Sequence, residues 1–274
     1  MAGKTNELIS TILERTTPSQ QIHLDIQNSK LMYSVFGFVP ATDFTDNAVL
    51  LSNLGYILAQ QDHNVCLVDF KVFSPNLYMY LGVNQNKRGS GLLKMLKDDN
   101  ADVRDEVVPT KHERLYLLSS SPQDLIEEYF DFGIEKVALV IDTLKKCFDI
   151  VLIDIPNNPP LEFCLEAMKQ SHIGFFTVSE RVDALSNITR LLDFASSVGI
   201  SVGKFTNVIF VNLQGIKYDF SIIKKLKLNI VAELPLIKGA LADALDGKLY
   251  VKDNPIVNSV YKKEMFKIVE QIIV

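Results

Sequence analysis

The sequence predicts an α/β fold, a mostly parallel β-sheet with helices on both faces. Three observations carry this. Short apolar runs rich in β-branched residues recur along the chain. Helical patterns of about a dozen residues separate them, the alternation that builds a parallel sheet buried on both sides. No internal repeat, low-complexity tract or linker divides the 274 residues, and 47% of them are hydrophobic, enough for one large core.

Taken in order, residues 6–15 read as a short amphipathic helix with Ile9, Ile12 and Leu13 on one side, and 16–30 as a polar arm. Residues 31–39 read as a buried strand and 48–60 as the first long helix. Residues 64–69 are an apolar run ending in Asp69. A short helix over 92–96 and a strand over 115–118 follow. Residues 122–147 are helical in pattern, with a break near Gly133. Residues 150–154 form a strand ending in Asp-Ile-Pro. Helices over 160–170 and 182–198 flank a strand over 173–178. Strands at 207–212 and 230–234 enclose a short helix at 222–226, and 261–274 is the last helix. The organisation expected is an arm over 1–30 and one α/β domain over 31–274. Ligands of such sheets sit at the carboxyl ends of the strands, here just after Val39, Asp69, Asp154 and Asn212.

The net charge of −5 argues against nonspecific nucleic-acid binding, which goes with basic domains. Cys66, Cys147 and Cys164 lie far apart in apolar runs and read as buried thiols of a reducing cytoplasm. His23, His63, His112 and His172 show no metal-ligand spacing. No signal peptide and no apolar stretch of about 18 residues is seen, so a cytoplasmic protein is expected. Gly3-Lys4-Thr5 spells the end of a phosphate-loop motif but lacks the preceding strand and first glycine that the motif needs.

Six segments in order resemble one family, the ParA/MinD-type deviant Walker ATPases. They are the loop 36–48 with Asn53-Leu54-Gly55-Tyr56-Ile57-Leu58-Ala59, the run Val65 to Asp69, Gly91 to Leu96, Tyr116 to Pro122, Phe148 to Pro156, and Phe210-Val211-Asn212 with Glu233-Leu234-Pro235. The resemblance covers residues 31–274 and implies a P-loop NTPase-like three-layer sandwich. The Asp-Ile-Pro segment with eroded loops also resembles the TadZ/CpaE pilus-assembly branch. A role in positioning or scaffolding a membrane, pilus, secretion or conjugation apparatus is what this implies, as a homodimer with a protein partner.

The loops depart from the family. Aligned on Asn53, Thr42 stands at the signature lysine, Asp46 at the last glycine, Asn47 at the loop lysine and Ala48 at the Mg²⁺-binding hydroxyl. A phosphate cradle needs glycine amides, a lysine and a Ser/Thr, and all four key positions are lost; Thr42 and Thr45 offer hydroxyls but no positive charge. Asp43 and Asp46 add negative charge where a polyphosphate would repel it, and Asp46 or Asn47 is suited to cap the helix instead. The family's second "D-x-D" carboxylate is Lys71, which either pairs with Asp43, Asp46 or Asp154 or replaces the missing loop lysine. Asp154, the family's Mg²⁺ acid, reads as a strand-end cap. Asn212 stands where the family reads adenine and is otherwise a turn former. The site so drawn comprises Thr42, Asp46, Asn47, Ala48, Asp69, Lys71, Asp154 and Asn212, with no catalytic residue. No cofactor is expected, ATP with Mg²⁺ being the alternative. A pseudo-ATPase is the reading, against a slow ATPase or a DNA-binding partition protein using lysines 224, 225, 227, 262, 263 and 267. The last helix either completes the core or docks on a membrane or partner.

Overall fold

The computed structural model describes residues 31–43, 45–130, 132–253 and 259–273. The expected helix over 6–15 lies outside them. The elements are β1 (Val35–Pro40), α1 (Ala48–Ala59), β2 (Val65–Asp69), α2 (Leu77–Tyr80), α3 (Leu92–Lys97), α4 (Val103–Glu106), β3 (Val108–Pro109), β4 (Leu115–Ser119), a 3-10 turn (Ile126–Phe130), α5 (Glu135–Cys147) and β5 (Ile150–Asp154). Then come α6 (Leu161–Gln170), β6 (Ile173–Val178), α7 (Ala184–Ser197), β7 (Asn207–Val211), α8 (Ser221–Lys225), β8 (Asn229–Leu234), α9 (Ala240–Leu245), α10 (Tyr250–Asp253) and α11 (Ser259–Ile272). Eight strands form one sheet in the order β3-β4-β2-β5-β1-β6-β7-β8. Every pairing is parallel except β3 with β4.

The two-residue period of a strand sends alternate side chains to opposite faces. Val35, Val39, Cys66, Val68, Val151 and Ile153 enter one core with α3, α5, α6 and α7. Phe36, Phe38, Leu67, Ile150 and Leu152 enter the other with α1 and α11, and Phe38 stacks on Phe175 at 4.9 Å between ring centroids. Gly174 lets β6 pass Phe205, since a Cβ there would lie 2.1 Å from the ring. The chain leaves β1 toward β2 on one side, and β5 later hands on to β6 on the other side of β1. The order therefore reverses around β1, and a crevice opens at its carboxyl end.

Two departures from the sequence reading have physical causes. The break expected near Gly133 is present, but among the described residues of 122–133 before it only a 3-10 turn over Ile126–Phe130 precedes the helix that starts at Glu135. Asp124 accepts hydrogen bonds from the Ser121 amide at 2.9 Å and the Tyr129 hydroxyl at 2.6 Å, and Glu128 accepts from the Leu125 amide at 3.0 Å. These side chains offer the backbone an alternative to helix. The short elements α2, α4, β3, α9 and α10 have too few residues to show a period. The last helix turns its apolar face to the sheet: Tyr261, Met265, Ile268, Val269 and Ile272 are buried in the second core. That face is taken up by the sheet, as the core-packing alternative for residues 261–274 expects. No described helix is long and apolar enough to cross a membrane. All three cysteines are free, with Cys66 and Cys164 buried.

Candidate functional site

The crevice is built where β1, β2 and β5 end. β1 turns at Pro40, and its loop is tied down from neighbouring elements. Asn157 donates to the Pro40 carbonyl at 2.9 Å and Asn187 to the Ala41 carbonyl at 3.2 Å. Thr42 and Thr45 are buried, and their hydroxyls run on to Ser179 in a chain of 3.3 and 3.0 Å contacts. Asp46 caps α1: its Oδ1 accepts from the Ala48 amide at 2.9 Å. Asn47 makes no side-chain cap. It turns inward, 1% exposed, and is held by three partners. Its amide donates to the Phe38 carbonyl oxygen at 3.2 Å and to Asp154 Oδ1 at 3.0 Å, while its oxygen accepts from the Thr177 hydroxyl at 2.6 Å.

Asp69 and Asp154 are opposed across β2 and β5, and both are fully buried. Two carboxylates side by side in a dry place need donors and a cation. Asp69 takes the backbone amides of Lys71, Asn76 and Leu77 at 3.0, 2.9 and 3.1 Å, which fixes the loop after β2 and starts α2. The cation is Lys71. Its ammonium lies 2.8 Å from Asp154 Oδ2, 3.2 Å from Asp46 Oδ1 and 2.8 Å from Asn76 Oδ1. Asp43 is not among its partners. Asp154 is thus no cap of loop amides, as the sequence suggested, but the buried half of an ion pair.

Burial pushes the Asp154 carboxyl up to about 7, with Lys71 pulling it down and Asp69 pushing it further up. Asp69 is raised by burial too, against the pull of Lys71 and of its amide donors. For Lys71, burial works to lower the value, but the carboxylates of Asp154, Asp69 and Asp46 outweigh it and hold the ammonium charged. One cation among three carboxylates leaves the cluster short of positive charge, so a buried acid keeps its proton to unusually high pH.

Asp46 collects more than the cap and Lys71. Asn76 Nδ2 donates to its Oδ2 at 2.7 Å and the Tyr80 hydroxyl at 3.3 Å. Beside it opens a cavity of about 290 Å³, walled by Asp46, Leu50, Tyr80, Asn212, Pro235 and Tyr261 among others. Asn212 is a turn former: its oxygen accepts from the Gly215 amide at 2.6 Å and its amide donates to the Ile216 carbonyl at 3.2 Å. The structure therefore joins Asp46, Asn47, Ala48, Asp69, Lys71 and Asp154 in one network. Thr42 lies on a separate hydroxyl chain, and Asn212 across the cavity. Asn76, Tyr80 and Thr177 were not foreseen. Thr177 carried a signal, a hydroxyl inside the apolar run of β6, and Asn76 follows Ser-Pro ahead of an apolar helix start.

No protein-family model and no curated protein sequence matches the chain. Solved structures do match it. MinD from Pyrococcus horikoshii OT3, complexed with Mg-ADP, superposes with a TM-score of 0.73 at 20% identity, over 88% of this chain and 96% of that one. The chain has the ParA/MinD fold. MinD of the Aquifex aeolicus MinC:MinD complex gives 0.69 at 18% identity, over 87% and 95%. A point variant of McdA from Cyanothece, in complex with ATP, gives 0.69 at 16%, over 86% and 96%.

These structures correct the expectation that no cofactor is used. MinD with Mg-ADP and McdA with ATP hold nucleotide on this fold, in conflict with that expectation. How the residues of this chain would meet such a group is a separate matter of geometry. As folded, they do not fit a Mg²⁺-polyphosphate. Ala48 offers no hydroxyl, Lys71 takes the acid that would face a metal, and the Asp46 carboxylate holds the first free amide of α1. Among the described residues, no group of three or more His, Cys, Asp or Glu is arranged to hold a metal ion.

Proposed function

We propose that this is a positioning or scaffold protein of the ParA/MinD fold whose hydrolytic machinery has been replaced by an internal ion network. One observation carries the reading. The ammonium of Lys71 sits between Asp154 and Asp46, ion-paired with both, where a hydrolase of this kind needs its acid and its phosphate. Phosphoryl transfer depends on positioning and on cationic stabilisation of the transferring group. Here the cation is neutralised from within, and no second lysine stands in the loop. Activity would then lie in what the surface holds, with self-association and a protein partner as the means. MinD was solved with a partner protein, MinC, which supports a partner here. The link to a pilus, secretion or conjugation apparatus rests on the sequence likeness to the TadZ/CpaE branch.

A second reading keeps one observation on its side. Lys71 reaches the N-terminal end of α1 from another strand, so it could serve a bound phosphate in place of the loop lysine. Localisation tests the scaffold: a fluorescent fusion should gather into discrete foci, and should do so equally in cells depleted of ATP. A diffuse signal, or foci that vanish with ATP, would favour the nucleotide-driven reading.

A further inference from the structure

At the amino end of the sheet, away from the crevice, β1 and β6 begin their pairing with the His172 amide donating to the Val35 carbonyl at 2.8 Å. His172 stands one residue ahead of β6, and its side chain carries the pairing further. Its Nδ1 accepts from two backbone amides, those of Ser34 and Val35, each at 3.1 Å. An imidazole here does the work of a main-chain carbonyl, and unlike a carbonyl it can lose its lone pair to a proton. The geometry fixes its state. Nδ1 accepts only in the neutral ring with the hydrogen on Nε2, whereas the imidazolium has a donor at each nitrogen and no acceptor. The ring of Tyr33 lies against it, with 5.9 Å between centroids. The charges that act on it are two cations, Lys145 in the last turn of α5 and Lys204 in the turn ahead of β7. Lys204 is itself held by donating to the Lys169 carbonyl at 2.6 Å.

We infer that His172 is a proton-sensitive clasp on the chain entering β1, closed while its imidazole is neutral and open once Nδ1 takes a proton. A proton on Nδ1 would face two N–H groups, so both bonds are lost together and donor meets donor. Two neighbouring bonds survive, because neither involves the ring: the His172 amide to the Val35 carbonyl, and the Val151 amide to the Ser34 carbonyl at 2.7 Å. The opening is therefore confined to the amides of residues 34 and 35 and leaves the sheet intact. The sign follows from the state that is needed. Burial first, then Lys145 and Lys204, hold the imidazole below its ordinary value of 6.5, so the clasp is shut at neutral pH and opens in acid. What changes with pH is the anchorage of the chain at the amino end of the central strand.

The test is amide hydrogen exchange read by NMR across the acid range, in the native chain, His172→Asn and His172→Ala. Protection is taken relative to an unstructured peptide at the same pH. Asparagine offers its Oδ1 where the imidazole offers Nδ1, and it does not titrate. In the native chain, protection at Ser34 and Val35 should fall at least about fivefold on acidification, the worth of one hydrogen bond. The midpoint should lie below 6.5 and coincide with the titration of His172 followed by its ring nitrogen shifts. Those shifts should place the hydrogen on Nε2 before acidification. His172→Asn should keep its protection at every pH, and His172→Ala should lack it throughout. Lys145→Gln, which removes one of the two cations, should move the native midpoint upward. Native protection that stays flat while His172 titrates would overturn the clasp, as would a hydrogen on Nδ1 at neutral pH. The same acid fall in His172→Asn would overturn it too, by assigning the effect to other groups. If His172→Ala does not fold, the native and His172→Asn curves decide.

Discussion

Replacing Lys71 with methionine removes the positive charge and keeps most of the stem. Its side chain is 15% exposed and its partner Asp154 wholly buried. Stripping one partner from such a pair costs about 3–5 kcal/mol when the other must stay charged. The abandoned acid has another route, which is to take a proton. From an ordinary value of 3.8 that costs about 1.4 kcal/mol per pH unit, so about 2 kcal/mol at pH 5 and about 6 at pH 8. The cheaper route decides at each pH. Burial already holds the Asp154 carboxyl above the ordinary carboxylate range in the native protein, which places the loss at the lower end. Urea unfolding of Lys71→Met should therefore show a loss of about 3 kcal/mol at pH 8 and less than about 2 at pH 5. The double variant Lys71→Met/Asp154→Asn should recover more than half of the pH 8 loss, because the acid in direct contact with Lys71 is then uncharged and Asp69 keeps its three backbone amides. A loss below about 1 kcal/mol at pH 8, or one that is the same at both pH values, would refute the claim that Lys71 neutralises a buried carboxylate.

Three further outcomes follow from packing and titration. Ile268→Ala should cost about 2–5 kcal/mol, as expected for a fully buried aliphatic side chain; a docking arm would tolerate it, so an unchanged urea midpoint would contradict the core placement of α11. Gly174→Ala should destabilise by about 1–3 kcal/mol through collision with Phe205, and a variant as stable as the native chain would contradict the close approach of the two. His112 is held near pKa 4 by burial first and then by Lys252 and Lys111. The folded state stays neutral where the unfolded chain takes a proton, so stability from this group is lost as pH falls from 6.5 toward 4. His112→Leu should flatten that part of the stability profile, and an unchanged acid slope would show that other groups set it.

Much of this architecture was written in the apolar runs. Strands 150–154 and 173–178 appear where the apolar pattern puts their ends, because a continuous apolar run flanked by turn residues has few other places to go in a two-faced sheet. Elements of four to six residues left no period to read, and 122–134 carried helical apolar spacing that Asp124 and Glu128 overrode through side-chain bonds to the backbone. At the crevice, the residue types were legible and their pairing was not. Asp46, Lys71 and Asp154 stood out as changes of charge, yet three acids competed for one lysine on paper. The choice between Asp43 and Asp154 was made by the loop after β2, which Asp69 fixes through three backbone amides. The cofactor expectation failed for a different reason: it was drawn from missing side chains, whereas the fold itself is one on which MinD and McdA carry nucleotide.

The most direct measurement is phosphate release from Mg²⁺-ATP by the native chain under single-turnover conditions, with protein in excess. The internal ion network predicts no release above the protein-free blank, whether or not ATP is bound. Release that saturates with protein and disappears in Lys71→Met, itself confirmed folded at pH 5, would contradict it and make Lys71 a catalytic residue.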